Sequence, residues 1–336
     1  MQQSHFKRLF KCLGCAMDSN QEIPFSLPFD ALVLKKAREY PSNDSSTNPQ
    51  SPVLNHEKEA QQSITNYFKK YQTSDFSSHN KLMDLARECG IKHIFTTNYD
   101  HNLECSVTGK KTTKKATVTL KNKETKYSMF RCNALDKNTH VWHPHGDMAN
   151  PASILLGYEH YAGTLQKMRN YLTQGINVTQ SNKDDQTRHQ GKVSPWIVSS
   201  QDKTTGFSDK FEENEFYSWI DIFLRDTVHI IGFSMDFAEI DIWWLLIWRA
   251  KNKERMAKIG KNFGQVIFHS IETENHEKDR QTTPLDSCTN SRAKKIATML
   301  KEFDVVVRQT IVEQGNYEEA YNKIFENIRR DSSKKA

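Results

Sequence analysis

The chain has 336 residues, 36% of them hydrophobic and 26% charged, with a formal net charge of +6. That length suits one large domain or two modest ones, and so low an apolar share implies long polar loops around a real core. No apolar run reaches the roughly 18 residues that a membrane-spanning helix needs, so no membrane span and a cytoplasmic location are expected.

At the start of the chain, Lys7, Arg8 and Lys11 interrupt the apolar residues, which argues against a secretion signal. The six cysteines follow no even spacing, so a reduced protein is expected rather than a disulfide framework. Residues 41–63 are rich in Ser, Asn, Pro and Gln and read as a loop. From residue 79 the pattern becomes regular. Leu82, Met83, Leu85, Ala86 and Cys89 share a helical face, and Gly90 suits a left-handed C-terminal cap. The β-branched and aromatic run IKHIFTT then predicts a buried strand. Residues 109–127 concentrate lysines, which makes this stretch either a solvated hairpin or loop or a nucleic-acid contact.

The segment THVWH predicts a second strand and SILL a third, short one. Tyr158, Tyr161, Leu165, Met168 and Leu172 recur at helical spacing up to Gly175, and residues 176–194 read as a polar loop. A helix is expected around Phe216, Trp219, Ile220 and Phe223, then a strand in TVHIIGFS. The next helix, rich in Trp, Leu and Ile, is expected to open on a capping box made by Asp236 and Glu239. Strands in QVIFHS and DVVVRQ flank a helix around Ile296, Met299, Leu300 and Phe303, and a last helix begins near Tyr317. This alternation predicts an α/β, Rossmann-like fold with a mostly parallel sheet and helices on both faces. Ligands in such folds bind at the carboxyl ends of strands, which directs attention to three loops.

The first loop runs from Thr96 through Thr97 and Asn98 to Asp100. Asn98 offers a donor and an acceptor to a ribose hydroxyl or a carboxamide, while Asp100 could cap the following helix. A turn-and-cap role for both is the alternative. The second loop, HPHGD, places His145 before Gly146 at a strand end. An imidazole there suits proton removal near neutral pH, and the glycine permits close backbone approach. His143, His145 and Asp147 could instead share a metal, though the spacing supplies no fourth ligand. The third loop, GFSMD, carries Gly232 and Ser234 between a strand and a helix, which suits a ribose or phosphate site.

In this order, TTNYD, HG and GxS, each at a predicted strand end, resemble the sirtuin superfamily, and TTNYD with SILLGYEHY resembles its defence-associated bacterial branch. The resemblance is densest over residues 90–250, within a core of 79–270, and implies one sirtuin-like domain. It implies cleavage of NAD to nicotinamide and ADP-ribose, in anti-phage defence. Asn98 and His145 would be catalytic, with Asn98 on the nicotinamide ribose or the attacking water and His145 as base. Thr96, Thr97, Asp100, Gly146, Gly232 and Ser234 would line the NAD site.

The chain departs from the family twice. Sirtuin deacetylases carry a zinc ribbon with two CxxC pairs, whereas here the one CxxC is Cys12 to Cys15, so neither zinc nor deacetylation is expected. The family's Gly-Ala-Gly-x-Ser loop around the pyrophosphate is missing, with Gly14 and Ala16 as its nearest remnant. A homo-oligomer or an operon-encoded partner protein would be one way to complete that half of the site. The alternative function is a non-catalytic sensor of nucleotide or nucleic acid, with Lys110, Lys111, Lys114 and Lys115 as the contact surface.

Overall fold

A computed structural model describes residues 26–39, 51–70, 73, 75–108, 117–118, 127, 129–135, 138–181, 188–197, 218–274, 284–313 and 315–334. The chain divides into two compact units, one of residues 1–81 and 92–219, the other of residues 82–91 and 220–336.

The first unit opens with helix α1 (Ser26–Glu39) and helix α2 (Ser51–Lys70). In α1, Phe29, Leu32 and Val33 recur at helical spacing and are buried, and Pro28 sits in the first turn, where its missing N–H costs nothing. They pack on Ala60 and Ile64 of α2 and on Tyr99, Ile154 and Leu156. Helix α2 replaces most of the loop expected over residues 41–63. Its inward stripe is half polar, with Gln61 and Thr65 buried beside Ala60 and Ile64. Gln61 Nε2 donates to the Ile154 carbonyl and Thr65 Oγ1 to the Gln61 carbonyl, so a polar sequence still buries a satisfied face.

Helix α3 (Ser77–Glu88) leads to strand β1 (His93–Phe95). After helix α4 (Asn102–Thr108) come β2 (Thr117–Val118), β3 (Cys132–Ala134) and β4 (His140–Trp142). They form one sheet in the order β1-β4-β3-β2, with β1 parallel to β4 and the other pairs antiparallel. The predicted strand in SILL is instead a 3-10 turn, Pro151–Ser153, followed by an extended run. Ile154, Leu155 and Leu156 are buried as a strand would be. The Ile154 and Leu155 carbonyls, however, are satisfied by Gln61 and by the Tyr99 hydroxyl, not by a ladder. Helix α5 (Tyr158–Gln174) then buries Tyr161, Thr164, Met168, Tyr171 and Leu172. The polar loop expected at 176–194 is a hairpin of β5 (Ile176–Ser181) and β6 (Arg188–Val193). Backbone groups make that ladder, and its two strands pair with each other alone among the described residues, so no apolar alternation marks them.

In the second unit, α6 (Trp219–Arg225) leads into β7 (Val228–Ile230). Helix α7 (Ile240–Lys258), β8 (Val266–Glu274), α8 (Pro284–Glu302), β9 (Val305–Glu313) and α9 (Tyr317–Ser333) follow. The sheet order is β7-β8-β9, all parallel, with α7 and α8 as the crossovers that parallel neighbours require. Ile324, Phe325 and Ile328 of α9 pack with Leu85, Ile231 and Ile271. The expected capping box at Asp236 and Glu239 does not form. Asp236 Oδ1 accepts from the Ala238 N–H, and α7 begins later, at Ile240, with Glu239 at the cap and no side-chain bond from it to the first turn. The α/β, Rossmann-like reading holds; its parallel part is β7-β8-β9 and the β1–β4 pair.

Candidate functional site

Strands β1 and β4 are parallel neighbours in register, Phe95 beside Trp142, so their carboxyl ends release two loops side by side. The pairing runs one step further, from the Thr96 N–H to the Trp142 carbonyl at 2.9 Å. Thr96, Thr97 and Asn98 are half-buried. Thr96 Oγ1 accepts from the Asn98 N–H at 3.1 Å and turns the chain there. Asp100 Oδ1 accepts from the Asn102 N–H at 3.0 Å, at the first residue of α4. Tyr99 is buried; its hydroxyl donates to the Leu155 carbonyl at 2.7 Å, and its own carbonyl accepts from the Met148 N–H at 2.9 Å. The first loop is thus tied to the second and to the run 154–156.

In the second loop, His145 is 2% exposed and packs edge-to-face on Tyr161, ring centroids 5.7 Å apart. Its carbonyl accepts from the Leu155 N–H at 2.9 Å. Gly146 has a φ of 87°, and a Cβ built there would lie 2.2 Å from the Ser153 carbonyl oxygen. Both the left-handed backbone and the close approach of two chains require glycine at this position. Asn98 and His145 therefore stand on adjoining loops of one unit.

Beneath these loops lies a buried charged network whose Glu104, His101 and Arg131 the sequence reading missed. His143 Nδ1 donates to the Asn98 carbonyl at 2.9 Å, and its Nε2 meets Glu104 Oε1 at 2.9 Å. Asn133 Nδ2 donates to the same Glu104 oxygen at 2.7 Å. Burial pushes the His143 pKa down, but the hydrogen bond and charge of Glu104 outweigh it, with help from Asp147 and the Asn98 carbonyl, so the net direction is up. For Glu104 burial acts upward, and His143, His101 and Asn133 bring the carboxyl below its ordinary value. Asp147 lies 3.4 Å from His101 Nε2 and 3.5 Å from Arg131; the His101 hydrogen bond and the Arg131 charge, with His143 beyond, overcome its burial and hold its carboxyl far below the usual range. The rings of His101 and His143 meet edge-to-face at 5.4 Å.

The structure does not gather His143, His145 and Asp147 around one point. It gathers His101, Glu104 and His143, with one ligand atom each within 4.8 Å of one another. These three could hold a metal ion only if it replaced the proton between His143 and Glu104. Spacing alone could not have paired Glu104 with His143, which lies 39 positions away.

The third loop belongs to the second unit. Gly232 has a φ of 65°, and a Cβ there would lie 2.9 Å from the Tyr321 hydroxyl. Gly232 and Ser234 are exposed, whereas Met235 is fully buried with a φ of 50°. Trp243 Nε1 donates to the Asp236 carbonyl at 3.0 Å and stacks on Phe237 at 5.8 Å, so α7 holds the loop from below. Gly14, Ala16, Cys12 and Cys15 lie outside the described residues, as does the Lys-rich stretch 109–127 apart from Thr117, Val118 and Tyr127. Among the described residues no helix is long and apolar enough to cross a membrane.

A family model described as a SIR2-like domain matches residues 92–259, half of the chain, from β1 through the end of α7. The match takes in all three loops. No curated protein matches the chain.

Proposed function

The chain belongs to the SIR2-like domain family, whose function is NAD-related, and from that premise we propose that it cleaves NAD to nicotinamide and ADP-ribose. The observation that carries this reading is the pairing of loops at the ends of β1 and β4. One bears Asn98 and the other His145, and backbone and side-chain bonds tie them together. In the reaction, the bond between C1′ of the ribose and the nicotinamide nitrogen breaks, and its electron pair leaves with nicotinamide. Water adds to C1′. Asn98 orients that water or the ribose, and His145 takes the proton. An oxocarbenium-like sugar needs a positioned nucleophile and fixed polar groups more than a strong acid. A buried His145 is suited to this, because water other than the reactant is kept away.

On this reading Thr96, Thr97, Asp100 and Gly146 shape the ribose end. Purified protein should release nicotinamide from NAD, and Asn98→Ala or His145→Ala should lower that rate by at least about 100-fold. Equal rates in wild type and variants would sink the enzymatic reading. The missing glycine loop favours a second reading, a nucleotide-binding module without turnover. Saturable NAD binding with no nicotinamide release would select it. The defence role follows from the resemblance of TTNYD and SILLGYEHY. It predicts that phage infection of cells carrying the protein, with any operon-encoded partner, depletes NAD, and that His145→Ala prevents this.

A further inference from the structure

We propose that Glu104 and His143 are the positioning pair for Asn98: a buried carboxylate and imidazolium whose outer N–H holds the Asn98 carbonyl and so sets the loop that presents the Asn98 side chain. This rests on the NAD-cleaving reading and deepens it. The geometry carries the inference. Nδ1 of His143 faces a carbonyl oxygen at 2.9 Å and Nε2 faces a carboxylate oxygen at 2.9 Å. Both partners are acceptors, so both ring nitrogens carry protons. The second donor on the Glu104 oxygen, Asn133, favours the ionised carboxylate.

The elements explain why this pair controls the loop. His143 follows β4, and Glu104 lies in the first turn of α4, the helix that leaves the Asn98 loop. The ion pair therefore clamps the loop between the strand beside it and the helix after it. Other titratable groups around His143 are His101, edge-to-face with it, and Asp147, which His101 Nε2 faces at 3.4 Å and Arg131 at 3.5 Å. A doubly protonated His143 has no lone pair to accept a proton. The base is then His145, two residues on, and His143 acts only through Asn98.

The test uses the full chain with ring-15N-labelled histidine and long-range proton–nitrogen spectra, beside the kinetics of nicotinamide release. Near neutral pH the wild-type His143 ring should read as imidazolium, and Glu104→Gln should turn it to the neutral pattern. In the same variant kcat should fall about 10- to 100-fold while KM for NAD stays within about threefold, as expected for a misplaced catalytic group. The alkaline limb of the kcat profile should move to lower pH, because the charge that holds the proton on His143 is gone. Glu104→Asp, which keeps the charge on a shorter arm, should restore part of the limb. Thermal melting shows that each variant is folded. A neutral His143 ring in the wild type would overturn the proposal, as would a Glu104→Gln variant with wild-type kcat and an unmoved alkaline limb. A wild type that releases no nicotinamide is a different failure. It removes the NAD-cleaving reading, and the ring signature alone then supports or overturns the ion pair as the clamp of the loop.

Discussion

At the scale of single residues, the glycines separate conformational from steric demands. Gly146 and Gly90 both have positive φ, 87° and 63°. A Cβ at Gly90 meets nothing within 4 Å, whereas one at Gly146 would overlap the backbone of Ser153 and Ile154. Gly90→Ala should therefore cost only the left-handed penalty, about 1 kcal/mol. Gly146→Ala adds overpacking against rigid backbone and should cost about 3 kcal/mol or more. Urea unfolding of the two variants checks the ordering, and equal losses would show that the contact at Ser153 is not tight. The need for glycine beside His145 was legible in the sequence, because a strand-end His-Gly asks for close approach. The partners that make it tight were not, since Ser153 reaches Gly146 through a 3-10 turn that the sequence presents as a strand. Glu104 illustrates the same limit. It reads as an ordinary helix carboxylate until the fold brings β3 and β4 against it, with Asn133 and His143.

At the scale of elements, α7 shows how one buried cation joins segments distant in sequence. Arg249 is 2% exposed, and its guanidinium donates to the Gly264 carbonyl at 2.6 Å and to the Asp304 carbonyl and carboxylate at 3.3 and 3.2 Å. Those acceptors lie in the turns that precede β8 and β9, so Arg249 fixes where both strands begin. Burial pushes the Arg249 pKa down, and Asp304, shared with Lys253, opposes this. Arg249→Ala leaves the Gly264 and Asp304 carbonyls without this donor and removes the packing of a buried side chain, and should lower the unfolding free energy by about 2–4 kcal/mol. Arg249→Lys should recover little of it, because one ammonium cannot span acceptors that the planar guanidinium reaches together. Chemical denaturation of both variants decides this. Such elements were legible where an apolar stripe met a local stop signal. The end of α3 is one case. The Gly90 N–H bonds to the Arg87 carbonyl and the Ile91 N–H to the Ala86 carbonyl, the paired bonds of a glycine-capped helix end. Elements without that stripe were not legible. Helix α2 hides its buried face behind Gln61 and Thr65, and the β5–β6 hairpin carries no alternation. The Asp236–Glu239 spacing misled in the opposite direction, because Asp236 satisfies a turn of its own before α7 starts.

At the scale of the whole molecule, acid and base act on different histidines with opposite signs. In the second unit, His229 Nδ1 lies 3.1 Å from His269 Nε2, with the two rings stacked, and Arg308 stands in register beside His269, where Asp331 pairs with it. Burial first, then the charges of His229 and Arg308, push the His269 pKa down to about 4, against a partial opposing effect of Asp331. The folded value is below the unfolded one, so between pH 6.5 and about 4 the unfolded chain takes up a proton that the folded chain refuses. The stability that neutral His269 contributes is full above that window and is lost as pH falls through it, by about 3 kcal/mol at most. Glu104 and Asp147, both held below their ordinary values, lose their contributions only at more acidic pH. His143 behaves in the reverse sense. Its folded pKa is raised, so its contribution is complete below its ordinary value of 6.5 and is lost as pH rises through the folded one. Urea unfolding free energies measured from neutral pH down to about 4.5 should fall more steeply for wild type than for His269→Gln, by roughly 2 kcal/mol over the range. The Glu104→Gln variant should fall more steeply in acid than wild type, because its buried, neutral His143 then refuses a proton that the unfolded chain takes up below pH 6.5. A His269→Gln curve parallel to wild type would place the acid sensitivity elsewhere than in the stacked pair.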